Sequence, residues 1–249
     1  MKFQLLSDVH LRNGPYAPSP APGADVLLLA GDIGNANDPA LFDFLARACP
    51  SFRHVLLVRG NHEPFGASLE ETDAALEGFA RRLPNLVYLN RGCFDVPGSD
   101  VRVAGCTLWS RVSDAQRQRV GHDVGDFHLI REWTMERRHA EHDLDVEFLV
   151  DALGEAIRDG KRLVLLTHHA PVLHIGSGPA HQTGPHTSSF ESDLQWLLVP
   201  PVVAAAFGHT HFSMEATLAN GVRLLSNQRG TAGDVDNVAF RHEFTFDIH

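Results

Sequence analysis

The sequence predicts a mixed α/β fold over residues 1–249, built as a single domain, and three observations carry that prediction. The runs "DVLLLAGD", "HVLLVRGNHE" and "RLVLLTHHAP" are continuously apolar and then stop abruptly at polar residues or glycine. That is the pattern of strands covered on both faces. Segments with helical spacing alternate with these runs, as sheets flanked by helices require. The tail carries short alternating pieces that read as closing antiparallel strands.

Taken in order, "KFQLL" is a short strand ending at Ser7-Asp8. The following "NGPYAPSPAPG" cannot be helical, because Pro15, Pro18, Pro20 and Pro22 break it. Residues 38–48 read as helix between the strands of "DVLLLAGD" and "HVLLVRGNHE". Ser68 and Glu71 have capping-box spacing. Leu69, Leu76, Phe79, Ala80 and Leu83 then share one face of a helix that Pro84 helps to end. "LVYLN", "CFDVPG" and "VRVAGCTLW" are bounded by Gly and Pro and read as antiparallel strands. Residues 126–159 read as helix with a break. Its second half is marked by Phe148, Leu149, Ala152, Leu153, Ala156 and Ile157, with Gly160 as the stop. A long Gly-, His- and Ser-rich loop, 172–189, is too long to be idle. "FESDLQWLL" reads as a short helix, "VVAAAFGHTH" as a strand, and segments near 213–218, 222–226 and 241–247 as the closing strands.

Composition narrows the function. With 43% hydrophobic residues the chain can bury a sizeable core, and no apolar stretch approaches membrane-spanning length. "MKFQLLSDVH" is too short and meets Asp8 too early for a signal peptide, so a cytoplasmic protein is expected. Cys49, Cys93 and Cys106 form no C-x-x-C pair and read as buried reduced thiols. A net charge of −10 argues against a duplex nucleic-acid binder. An anionic substrate therefore needs a local source of positive charge, and lysine is scarce, at positions 2 and 161 only.

Metal-ligand residue types supply such a source. Five buried-type strands end in them: Asp8-Val9-His10, Gly31-Asp32, Gly60-Asn61-His62-Glu63, Thr167-His168-His169 and Gly208-His209-Thr210-His211. Carboxyl ends of strands in an open α/β sheet converge on one crevice. Residues two apart on an extended segment face one side, so Asp8 with His10, and His209 with His211, can each present two ligands together. Any single motif is weak evidence, whereas five in order at separate strand ends are not.

The series D-x-H, G-D, G-N-H-E, H and G-H-x-H, spanning residues 8–211, resembles the calcineurin-like metallophosphoesterase superfamily. "SNQRG" at 226–230 and "GDFHLIREWT" at 125–134 are similar to a bacterial branch of it, with Gln228 and Thr231 standing where that branch has proline and tyrosine. The resemblance implies a four-layer α/β/β/α sandwich of two mixed sheets flanked by helices. It implies a first metal held by Asp8, His10 and His211, a second by Asn61, His168 and His209, and Asp32 bridging the two. It also implies His62 as the catalytic histidine, stabilising the transition state or protonating the leaving oxygen. Two metals about 3.5–4 Å apart can activate a bridging water and clamp phosphoryl oxygens. Mixed N/O ligation suits Mn, Fe, Zn, Ni or Co without choosing among them. Two dications against two ligating carboxylates leave a surplus of about +2, enough to bind phosphate on an acidic chain.

The expected activity is hydrolysis of a small phosphomonoester or phosphodiester by a dimetal-bound hydroxide. A nuclease or cyclic-nucleotide phosphodiesterase would use the same metals, and a non-catalytic protein-binding scaffold is the third reading. Asn35 stands where the phosphoprotein-phosphatase branch has an aspartate paired with the catalytic histidine, which counts against that branch. Arg12 is a candidate phosphate fork or a surface arginine, and His169 a candidate pocket residue or a support behind its neighbour. Arg59 and Arg229 read as surface or phosphate-contacting arginines, and Glu63 as orienting His62 or opening the next loop. His174, His181 and His186 are candidate gate residues or solvated, and Trp133 and Met135 read as packing the long helix. Substrate choice is expected in loops 11–24, 110–125 and 172–189.

Overall fold

A computed structural model describes residues 1–179, 182–234 and 238–248. In chain order the strands are β1 (Lys2–Leu6), β2 (Val26–Ala30), β3 (His54–Val58), β4 (Leu86–Tyr88), β5 (Gly92–Asp95), β6 (Val101–Cys106), β7 (Arg162–Thr167), β8 (Val202–Phe207), β9 (Met214–Thr217), β10 (Arg223–Ser226) and β11 (Thr245–Asp247). The α-helices are α1 (Pro39–Ala48), α2 (Leu69–Ala80), α3 (Arg117–Asp123), α4 (Asp126–Leu129) and α5 (Met135–Asp159).

The strands form two mixed sheets flanked by helices, ordered β11-β1-β2-β3-β4 and β5-β6-β7-β8-β10-β9. In the first, β1 to β4 run parallel and β11 closes the edge antiparallel to β1. In the second, β6, β7, β8 and β10 are parallel, with antiparallel β5 and β9 at its edges. Alternation along each strand builds the layers. Val26, Leu28 and Ala30 face Val101, Val103, Val164 and Leu166 between the sheets, while Leu27 and Leu29 turn outward onto Leu41, Phe44 and Leu45 of α1. On the far side Leu149, Ala152 and Ala156 of α5 cover Leu163, Leu165 and Ala205. Burial on both faces is why these strands read as unbroken apolar runs. Removing one such side chain, as in Leu28→Ala, would cost about 2–5 kcal/mol.

The helices obey local signals. Asp38 caps α1 by accepting from the Ala40 N–H, and Pro39 sits in its first turn. Ser68 and Glu71 make the reciprocal capping box of α2. Gly160 ends α5 in the left-handed conformation.

Several expectations need correction. "LVYLN" contributes β4, which is parallel to β3, and β6 is parallel to β7. Helices α2 and α5 intervene in those two connections, and a crossover returns the chain in the same direction. Of the three segments "LVYLN", "CFDVPG" and "VRVAGCTLW", only the last two, β5 and β6, joined by a short turn, pair antiparallel. "FESDLQWLL" yields a single 3-10 turn at Gln195–Leu197, because Leu194, Leu197 and Leu198 are drawn into the core and prolines 200 and 201 follow. In the tail, β10 pairs parallel with β8 and antiparallel with β9. Cys49 and Cys106 are buried, but Cys93 is exposed on edge strand β5, and Ile157 faces outward at 59% exposure. The segment 110–125, read as a loop, contains α3.

Candidate metal centre

The parallel strands β1, β2 and β3 of one sheet and β7 and β8 of the other end at the same edge of the sandwich, and the polar motifs follow their last residues. The backbone there is unusual. Asp8, His10, Asp32, His209 and His211 all have positive φ, between 48° and 70°. Non-glycine residues rarely adopt this region, and Asp and His tolerate it better than most. The two residues of each x-spaced motif are therefore brought together by paired left-handed turns, not by the alternation of an extended strand. Gly208 is needed for close approach: a Cβ there would collide with Ser7 Oγ and lie 2.5 Å from Asp8 Oδ2. Gly60 leaves room for the Asp32 carboxylate in the same way.

Asp8, His10 and His211 form a first cluster of donor atoms and Asp32, His168 and His209 a second, while His10, Asp32 and His62 form a third group that overlaps both, each with one donor atom per residue within 4.8 Å of the rest. Asn61 joins the second, its Oδ1 lying 3.0 Å from His168 Nε2. Asp32 stands between them: Oδ1 lies 3.5 Å from His168 Nε2, while Oδ2 lies 3.9 Å from His10 Nε2 and 3.7 Å from His62 Nε2. In the first cluster His211 Nε2 is 3.4 Å from Asp8 Oδ1.

Hydrogen bonds behind the imidazoles decide which nitrogen faces inward. His168 Nδ1 donates to the Ala30 carbonyl (2.8 Å), His211 Nδ1 to Asp234 Oδ2 (2.7 Å) and His209 Nε2 to the Ser189 carbonyl (3.3 Å). Each leaves its other nitrogen as an acceptor. Asn61 Nδ2 donates to Asp126 Oδ1 at 2.8 Å, so Asn61 turns its carbonyl oxygen inward. Acceptor consequently meets acceptor at His168 Nε2 with Asn61 Oδ1, and His211 Nε2 meets His10 Nε2 at 2.9 Å. An encounter of two acceptors requires a positive charge between or on the partners. Divalent cations fit this donor set.

The electrostatics point the same way. Burial opposes ionisation of Asp8 and Asp32, yet the surrounding imidazoles hold both below the usual carboxylate range. Burial likewise opposes charge on His168 and His211, but Asp32 pushes the first and Asp8 the second up to about 9. Burial keeps His10 and His209 below the ordinary imidazole value.

A cleft of about 860 Å³ opens over these atoms. His62, Asp32, Asn61, His209 and His211 form part of its floor, and Phe65, Val124, Leu129, Phe190 and Phe212 give it a largely apolar wall. All three predicted loops reach it, through Arg12, through Asp123, and through Ser177 and His186. Arg12 is exposed at the rim. His169 does not line the cleft. It is fully buried behind His209, rings 4.0 Å apart, because the chain after β7 turns it inward. Asn35 donates to the Phe65 carbonyl (2.6 Å), and the Phe65 ring packs at a tilt against His62.

Other residues prove architectural. Arg59 is buried against Asp73 (2.7 Å), and Arg229 donates to the Val9 carbonyl (2.8 Å). Trp133 packs with Trp109, and Met135 with Val112 and Val120. His186 pairs with Asp123 at 2.8 Å on the cleft wall, while the His174 N–H donates to Glu191. His181 lies outside the described residues. Glu63 neither orients His62 nor merely opens a loop: its carboxylate accepts from the N–H groups of Asp32, Ile33, Gly34 and Gly60, binding the ends of β2 and β3 together.

Sequence reasoning missed Asp126, Asp234, Arg138 and the Gln228 side chain, whose Oε1 accepts from the His211 N–H at 2.5 Å. Asp234 and Asp126 had no periodic signal. Arg138 did: the buried stripe of α5 runs back from Leu149 through Asp145, His142, Glu141 and Arg138 at helical spacing, in charged residues.

Residues 1–213 match the family model of the calcineurin-like phosphoesterases. An uncharacterised protein of Acanthamoeba polyphaga mimivirus is 26% identical over 230 residues, covering 85% of this chain and 80% of its own. Among solved structures, a phosphopantetheinyl hydrolase from Mycobacterium tuberculosis superposes with a TM-score of 0.68 at 17% identity, covering 94% of this chain and 90% of that one. A dimetal phosphatase from Danio rerio gives 0.57 at 14% identity, over 95% and 88%. The chain belongs to the calcineurin-like phosphoesterase family and is a hydrolase of phosphoric ester bonds.

Proposed function

We propose that this protein is a dimetal hydrolase of a small phosphomonoester or phosphodiester, with Asp8, His10 and His211 holding one cation and Asn61, His168 and His209 the other. The single observation that carries this reading is the Asp32 carboxylate, whose two oxygens face the two clusters separately. Two divalent cations held there supply Lewis acidity toward the phosphoryl group and an activated water.

The chain's own groups do the rest. His62 is the imidazole on the open side of the site, with its side chain 38% exposed to the cleft. It is placed to donate a proton to the departing ester oxygen. Phe65, 4.3 Å from it between ring centres, fixes the plane of that imidazole. Arg12 at the rim offers a planar fork to a phosphate oxygen. The apolar wall suits the organic part of an ester and limits water around the reacting centre. The acidic net charge and the limited size of the cleft favour a small substrate over duplex nucleic acid. Among the described residues no helix is long and apolar enough to cross a membrane. All of 1–249 serves one domain in this reading, because β10 and β11 from the tail complete the two sheets.

Metal-stripped protein reloaded with Mn²⁺ should turn over p-nitrophenyl phosphate or its bis-ester, and the preferred ester assigns the substrate class. Failure to bind two ions per chain would overturn the ligand assignment itself.

A further inference from the structure

Arg138 is wholly buried in the first half of α5, and its guanidinium reaches four separate segments. Nε donates to the Ser110 carbonyl (3.0 Å) and Nη1 to Asp126 Oδ2 (2.9 Å). Nη2 meets Ser110 Oγ (2.9 Å), the Ser189 carbonyl (2.7 Å) and His169 Nε2 (3.3 Å). Burying an arginine is costly, and well-packed apolar residues usually serve stability as well or better. Its contacts suggest what it does instead. Asp126 is the carboxylate that accepts from Asn61 Nδ2, and the Ser189 carbonyl is the acceptor that holds His209 Nε2. One guanidinium therefore stands behind two members of the second cluster, and it touches His169, the chain neighbour of the third.

We infer that Arg138 is the positioning residue for the second cation, working through Asp126 on Asn61 and through the Ser189 carbonyl on His209. This rests on the dimetal reading above. By pairing with Asp126 Oδ2, Arg138 fixes the carboxylate so that Oδ1 meets the amide N–H of Asn61. That contact decides which end of a near-symmetric amide faces the cation. By fixing the Ser189 carbonyl, it holds the His209 tautomer that leaves Nδ1 free to coordinate. In the first cluster His211 Nδ1 donates instead to Asp234, which Arg138 does not touch.

The test is Mn²⁺ binding by calorimetry and electron paramagnetic resonance on the full chain, comparing wild type with Arg138→Met and Asp126→Asn. Wild type should take two ions and show their magnetic coupling. Each variant should bind the first ion within about twofold of wild type and the second about 10- to 100-fold more weakly, with the coupled signal lost at limiting metal. If Arg138→Met does not fold, Asp126→Asn, nearly the same shape, decides the question. Two ions bound as in wild type by a folded variant would overturn the inference, as would equal weakening of both. A wild-type chain that binds fewer than two ions would instead overturn the dimetal reading on which the inference stands.

Discussion

The two halves of the candidate centre are built differently although they share Asp32. Around the second cluster, His168 is held by a strand carbonyl, Asn61 by Asp126 and His209 by the Ser189 carbonyl, and Arg138 is buried behind the last two. Around the first, His211 leans on Asp234, which lies on the cleft wall in a loop after β10. The two positions are equally buried, and what differs is the support: buried groups stand behind Asn61 and His209, whereas a loop carboxylate stands behind His211. A carboxylate or imidazole oriented by a buried partner keeps its aim, and one oriented by a loop is free to exchange.

The most severe way to break this contrast is Asp32→Asn, which removes the negative charge both halves use. Both ions should bind weakly, and kcat/KM for a p-nitrophenyl ester should fall by about three orders of magnitude or more. A loss confined to one ion would show that Asp32 does not bridge.

The next test uses pH on the metal-free chain. His168 has a folded-state value of about 9, above its unfolded value of about 6.5, so its contribution to stability is full below the unfolded value. That contribution disappears as pH rises through 9. His211 behaves alike. Chemical denaturation of stripped protein should therefore show stability falling between pH 6.5 and 9.5, by about 3 kcal/mol for His168 alone. Reloaded protein should show little of this slope, because the cation replaces the proton. An equal slope in both forms would mean that the histidines are not ligands.

Asp234→Asn sharpens the contrast from the other side. It weakens the support of His211, so the first ion should bind about 10-fold more weakly while the second is unchanged. The smallest effect concerns exchange. A chelator should remove the two ions in separate phases, with the faster release reduced to a single phase when only the second position is filled.

Much of this site was legible in the sequence because strand ends announce themselves. An apolar run that stops at Gly31-Asp32 or Gly208-His209 marks both an element and its chemistry. The supporting residues were harder to read. Asp234 sits in an irregular loop whose position follows from the whole fold. Arg138 was hidden by convention, since a buried stripe is sought among apolar residues and this one turns charged for half its length. Strand direction was misjudged at β4 because Gly and Pro boundaries say where a strand ends and nothing about how the chain returns. His169 shows a further limit: two adjacent histidines at one strand end face opposite ways, and only one reaches the site.

The left-handed backbone at five of the candidate ligands has a consequence for the chain as a material. Asp and His are selected there twice, once for their donor atoms and once because they tolerate a conformation that alanine resists by about 1–2 kcal/mol. Alanine scanning would thus confound lost coordination with added strain, whereas asparagine replacements isolate the chemistry. Glycine would relieve the strain outright. At Asp8 and Asp32 that relief is set against the loss of the carboxylates that hold His168 and His211 charged, so the site is tied to the fold through its charges as well as its donors.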